Sequence, residues 1–362
     1  MTDRERWVNT MHFKSVDRVP HEEFGYWKET LERWHKEGLS VSVDDDEKAD
    51  RFFGFDRREG FGPNIGLFPE PFWNCVLEEN EKYKIVVDGV GAKSQIFTDG
   101  SSSIPRYLDY TLKDRNSWEK HFKKYLNPSN IGRYPENWEE LKKKHENRDY
   151  PLGISVGSLY GWLRGWIGVE NFSVMFYEEP MLVHDMMESL TDLTVTVIEK
   201  ALKEVQYDFA SFWEDMAYNK GPLISPAMFK EFMVPGYKRI TSLLRKYGVD
   251  VVIVDCDGNI NELVHLWLEA GVNCMFPLEV ACDTDPVKLR EKYGKDVLLL
   301  GGVNKVALIK GKKTIDEEIK RLEKLVKLGG FIPHVDHRVP PDVSYENYLY
   351  YLDIKKRMFG IK

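Results

Sequence analysis

From residue 151 onward the chain alternates between two rhythms: short unbroken apolar runs, and longer stretches whose apolar residues recur at helical spacing. The runs at 153–156, 209–213, 251–254, 274–278, 297–300 and 331–334 read as strands. Between and after them, 180–204, 225–247, 259–270, a segment opening near Asp285 and Pro286, 314–328 and 344–358 read as helices. Ser225 and Pro226 suit a helix start, one as a side-chain acceptor and the other as a residue with no N–H to satisfy. The first half is less regular. A polar helix is expected over 2–16, a short strand at 19–24 and a helix at 27–36. Residues 52–105 hold β-like runs at 83–87 and 94–98, broken by Gly, Pro and Asp; 107–150 is charged and helical, with Trp118 and Trp138 as anchors. The whole of 1–362 is expected to be one domain, with 52–150 as an insertion or outer layer.

Strands alternating with helices mean βαβ units and a parallel sheet. The expected fold is α/β, a (β/α)8 TIM barrel with an N-terminal elaboration. Segment 19–24 and the six later runs supply seven strands; the eighth is sought in the N-terminal half or near 169–175. Polar residues fall at strand C-terminal ends: Glu22 and Glu23, Glu214 and Asp215, Asp255 and Asp257, Glu279, Asn304, Asp336 and His337. In a barrel that is the catalytic face. A doubly wound sheet also binds ligands there, but a barrel better accounts for so many such ends in series.

The stretch Val251 to Asn259 concentrates the chemistry. Residues i and i+2 of a strand share a side, so Asp255 and Asp257 face the mouth while Cys256 faces the other way. Two such carboxylates repel when both are ionised; a metal, a shared proton or an arginine must resolve this. Glu214 and Asp215 can divide into a general acid and a ligand, with at least one expected to serve as a cap or ion-pair partner. His337 is either a ligand whose tautomer Asp336 fixes or a loop cap. Gly301 to Asn304 is an anion cradle or a plain turn. Trp27, Tyr160, Trp162, Trp166 and Trp213 form an aromatic wall or belong to the core.

Composition narrows the classes. A net charge of −8 and no basic stripe argue against nucleic acid and anionic membranes. No apolar run is long enough to span a bilayer, and the first residues lack the apolar core of a secretory signal, so a cytoplasmic location is expected. Cys75, Cys256, Cys274 and Cys282 form no CxxC pair and are expected as reduced thiols.

Asp17-Arg18-Val19-Pro20, Gly221-Pro222-Leu223-Ile224-Ser225-Pro226, Asp257-Gly258-Asn259, Pro277-Leu278-Glu279, Gly301-Gly302 and Asp336-His337 with the prolines downstream resemble the uroporphyrinogen decarboxylase superfamily, over essentially the whole chain. The resemblance implies a TIM barrel and two activities: tetrapyrrole decarboxylation, or zinc-dependent methyl transfer with corrinoid proteins. The decarboxylases carry Arg-Gln-Ala-Gly-Arg-Tyr after the first strand; here Phe24 to Leu31 contains no arginine and follows Glu22 and Glu23, and Tyr160 lies a few positions from their active-site tyrosine. The methyltransferases carry His-x-Cys-Gly where this chain has Asp255-Cys256-Asp257-Gly258. On the resemblance, the chain is expected to take a methyl group from a small methoxylated or methylated donor and pass it to a corrinoid on a separate protein. The resemblance further implies zinc held by Asp255, Asp257 and His337, with Glu214 or Asp215 protonating the leaving group and Glu23, Trp27, Tyr160, Trp213, Glu279 and Asn304 lining the substrate. The superfamily also admits a homodimer. The alternatives are a metal-free decarboxylase and a barrel that binds a small molecule without chemistry.

Overall fold

The computed structural model describes residues 1–98 and 105–361. The apolar runs become one seven-stranded parallel sheet whose spatial order follows the chain: Glu59–Gly60, Leu152–Ser155, Phe209–Trp213, Val252–Asp255, Cys274–Phe276, Leu298–Val303 and Phe331–Val335. The sheet curls as a TIM barrel's does, and period two sorts its side chains into two cores. Phe209, Val251, Ile253, Cys274, Phe276, Leu298, Leu300 and Ile332 pack with Trp7 and Met11 on the inner side. Ala210, Phe212, Val252, Val254, Cys256, Met275, Leu299, Phe331 and Val335 join the helices in the outer core. Burial on both faces is why these strands read as unbroken apolar runs rather than alternating ones. Trp7, from the helix Asp3–Met11, closes the floor with its ring 5.0 Å from that of Phe209.

The N-terminal half departs from expectation in two places. The seventh strand of the sheet is Glu59–Gly60, from the irregular half, whereas 169–175, where a strand was also sought, lies in the helix Val169–Glu178. Segment 19–24 forms no ladder. Just beyond it, Tyr26 makes an isolated parallel bridge to Val339, with Val339 N donating to Gly25 O (2.9 Å) and Trp27 N to Val339 O (3.3 Å). Within it, His21 O accepts from Asp56 N at 2.7 Å, shortly before the edge strand Glu59–Gly60. Pro20 has no N–H to give a ladder, and the Glu23 carboxylate accepts the Val335 N–H at 2.9 Å that a neighbouring strand would have taken.

Two helices also differ from their patterns. The one expected over 225–247 runs as Pro226–Met228, a wide turn at Phe229–Met233, and Val234–Lys246. Pro235 cannot donate to the turn before it, and the i→i+5 turn accommodates the missing bond. The helix expected over 259–270 is regular only across Val264–Glu269. Within 52–150, Cys75–Glu79, Tyr83–Val87, Ala92–Phe97 and Arg106–Tyr110 form an antiparallel meander, and Trp118 and Trp138 are buried; residues 99–104 of that stretch lie outside the described residues. No helix of the described residues is long and apolar enough to cross a membrane.

Candidate active site

The strand Val252–Asp255 ends at the open side of the curl, and the chain turns at once through Asp257 and Gly258. Gly258 has φ +85°, and a Cβ there would lie 2.8 Å from the Tyr218 carbonyl oxygen, so the turn accepts only glycine. Its N–H donates to Glu279 at 2.9 Å. Next door, Asp215 follows Phe209–Trp213 with φ +42° and accepts the Asp257 N–H at 3.3 Å. Asp215, Asp255 and Asp257 thereby bring carboxylate oxygens within 4.8 Å of one another in a half-buried corner.

Crowding sets their protonation. Burial, then Asp215 and Asp257, push Asp255 up to about 8. Burial and then Asp257 raise Asp215 as well. Two of the three have basic neighbours. Arg164 reaches the Asp215 carboxylate at 3.6 Å and donates to its carbonyl at 2.6 Å. His337 Nε2 lies 3.3 Å from Asp257, stacked on Trp27 with centroids 5.7 Å apart. Burial works against charge on His337, but Asp257 outweighs it and raises the imidazole above its ordinary value. The Asp255 carboxylate makes no hydrogen bond or ion pair among the described residues; its shift has only burial and two like charges as causes. It opens onto a cavity of about 650 Å³ bounded also by Phe24, Phe209, Phe276, Trp213 and Arg58.

Other residues singled out in the sequence serve the scaffold. Glu214 is fully buried and accepts from Leu159 N (2.9 Å), Tyr160 N (2.7 Å), Gly161 N (3.1 Å), Ser158 Oγ (2.9 Å) and Tyr237 OH (2.7 Å). It anchors the start of the helix Tyr160–Ile167, and these five donors take up its oxygens. Tyr160 is buried in the outer core. Glu23 is buried on the Val335 N–H. Asn304 caps the helix Lys305–Lys310 through Val306 N at 2.9 Å. Glu279 pairs with Lys305 and steadies Gly258. Asp336 does not touch the His337 ring; it accepts from Lys305 N at 2.9 Å and Val280 N at 3.0 Å. Asp215, Asp255, Asp257, His337, Trp27 and Trp213 are thus gathered at the mouth, and Glu214, Tyr160, Glu23 and Asn304 are not. Arg164, Phe24, Phe209 and Phe276 escaped notice in the sequence; a single arginine among the aromatics of 160–166 was the available signal.

The corner adds Asp215 to the Asp255 and Asp257 of the zinc set that the resemblance implies, while the third member of that set, His337, directs Nε2 to Asp257. Cys256 lies in the outer core, its sulfur accepting Met216 N at 3.3 Å and its thiol pushed well above the ordinary range, first by burial. A metal in this corner would be held by carboxylate oxygens, with His337 as the one nitrogen donor within reach of Asp257.

A family model described as Uroporphyrinogen decarboxylase (URO-D) matches residues 100–358. The chain is similar to a uroporphyrinogen decarboxylase of Campylobacter concisus (strain 13826), 22% identical over 198 residues, covering 51% of this chain and 52% of that protein. It is also similar to one of Danio rerio, 27% identical over 180 residues, covering 47% and 46%. The chain spans about half the length of these curated relatives. In fold it is similar to a methyltransferase from Methanosarcina mazei across 99% of both chains, with a TM-score of 0.59 and 14% identity.

Proposed function

The chain belongs to the uroporphyrinogen decarboxylase family, and from that footing we propose that it is a methyltransferase, taking a methyl group from a small methoxylated or methylated donor and passing it to a corrinoid on a separate protein. On this proposal, the extended segment around Glu23 to Trp27 is the eighth stave of a (β/α)8 barrel. The observation that carries the reading is the acidic corner of Asp215, Asp255 and Asp257 above an aromatic cavity. A tetrapyrrole bearing many carboxylates needs basic groups to pair with, and those around the corner and the cavity are already engaged: Arg164 with Asp215, His337 with Asp257, and Arg58, the arginine bounding the cavity, with Glu22 at 3.3 Å. A small neutral or cationic donor needs no such partner. The methyltransferase with the same fold accords with this choice.

In the reaction the methyl group leaves with its bond pair kept by the donor heteroatom, and a reduced corrinoid nucleophile supplies the pair of the new bond. For an ether donor the departing oxygen needs a proton. Asp255, protonated below about pH 8 and facing the cavity, is placed to give it. His337 on Asp257 and Arg164 on Asp215 hold the corner's shape.

Anaerobic mixing of the chain with reduced cobalamin and a panel of methoxylated and methylated donors, followed by the visible spectrum of methylcobalamin, tests the proposal. Transfer from at least one donor is expected, and Asp257→Ala should lower it at least 100-fold while the circular dichroism spectrum is unchanged. Uroporphyrinogen consumption without any methyl transfer would reverse the assignment in favour of the decarboxylase.

A further inference from the structure

Asp255 is the one carboxylate of the corner without a cationic partner among the described residues, and it is also the one that bounds the cavity. A partly dehydrated carboxylate in that position is either neutral or awaiting a counter-charge. The other ionisable groups around it are accounted for. Arg58 pairs with Glu22, and Glu59 is turned toward Arg57 and Lys144. His334, behind Phe24 and Phe276, is kept neutral by burial, at about 3. Beside the aliphatic Ile253 and Leu300 and the hydroxyls of Ser155 and Ser211, the wall carries aromatic rings: Phe24 and Phe276 meet edge to face with centroids 4.6 Å apart, Phe209 lies on the inner face, and Trp213 stands 41% exposed at the rim. Arg164 already rests its guanidinium 5.6 Å from the Trp213 ring, so this wall holds one cation by its π face.

An entering cation supplies the counter-charge that lets Asp255 release its proton. The carboxylate so formed among aromatic rings is complementary to a compact, poorly hydrated monocation, whose methyl groups lie on the rings while its charge meets the acid. A neutral ether gains neither contribution. We propose that the methyl donor is an onium compound, a small methylated ammonium or sulfonium, bound with its charge against Asp255 and its methyl groups on Phe24, Phe276 and Trp213. The proposal rests on the methyl-transfer reading for its chemistry, though not for its binding. The step balances without an acid: the C–N or C–S bond pair stays on the heteroatom, which departs neutral, and the corrinoid's electron pair forms the new bond to carbon.

Calorimetric titration of the full chain with choline and with its uncharged isostere 3,3-dimethylbutan-1-ol is the direct test. Tetramethylammonium and trimethylsulfonium separate nitrogen from sulfur donors. Choline is expected to bind at least tenfold more tightly than the isostere. Asp255→Asn should abolish that preference, and Phe276→Leu should weaken the onium ions several-fold while changing the isostere less. Equal affinities in the wild-type chain, or a preference that survives Asp255→Asn, would overturn the assignment. The wild-type comparison and Phe276→Leu decide the matter even where the asparagine variant folds poorly. Cation preference without methyl transfer from any donor would sink the function proposed above and uphold this site. Transfer from neutral methoxy donors with no cation preference would sink this site alone.

Discussion

Asp255 illustrates how one residue ties stability to pH. Its value in the folded chain, about 8, stands far above the ordinary 3.8. Between those pH values the folded chain keeps a proton that the unfolded chain has released, so stability is full at low pH and falls as pH rises toward 8. Asparagine cannot lose that proton. Urea unfolding should therefore show Asp255→Asn gaining on the wild type by on the order of 4 kcal/mol between pH 5 and pH 9. A constant difference across that range would refute the assignment of the shift to Asp255. The pairing of Asp255 with Asp257 was legible in the sequence, because strand periodicity alone places both on one side and Cys256 on the other. Arg164 and His337 as partners of Asp215 and Asp257 were not legible as pairs, since those contacts join loops that only the tertiary fold brings together.

At the scale of elements, Glu214 shows why a polar residue after a strand need not be chemical. Its carboxylate gathers three backbone amides at the start of Tyr160–Ile167 and the Tyr237 hydroxyl. Replacing it with alanine leaves those buried donors without an acceptor and should cost on the order of 3 kcal/mol or more in chemical denaturation. Glu214→Gln, which keeps an acceptor oxygen, should recover a large part of that loss. The strand segments from 151 onward and their order were readable because burial on both faces writes continuous apolar runs. Segment 19–24 misled because β-like residues there satisfy the sheet through a carboxylate, with a single bridge just beyond them, rather than through a ladder. Glu59–Gly60 could not be found by pattern, since two residues carry no period.

Across the whole molecule, the inner core depends on a helix that precedes the sheet. Trp7 is fully buried against Phe209 beneath the cavity. Trp7→Ala should destabilise the chain by about 3–5 kcal/mol, and thermal denaturation with and without a bound donor would separate a loss of floor from a loss of site. The bond from Val335 N to Glu23 joins residues 312 positions apart. The strands of the main sheet pair in chain order, whereas this seam joins the first part of the chain to the last. Such a junction is assembled late and reopens early. In native-state hydrogen–deuterium exchange the amides of Val335 and Val339 should consequently lose protection before those of Ile253 and Val254, so that the fold breathes at its seam while the carboxylate corner stays shut.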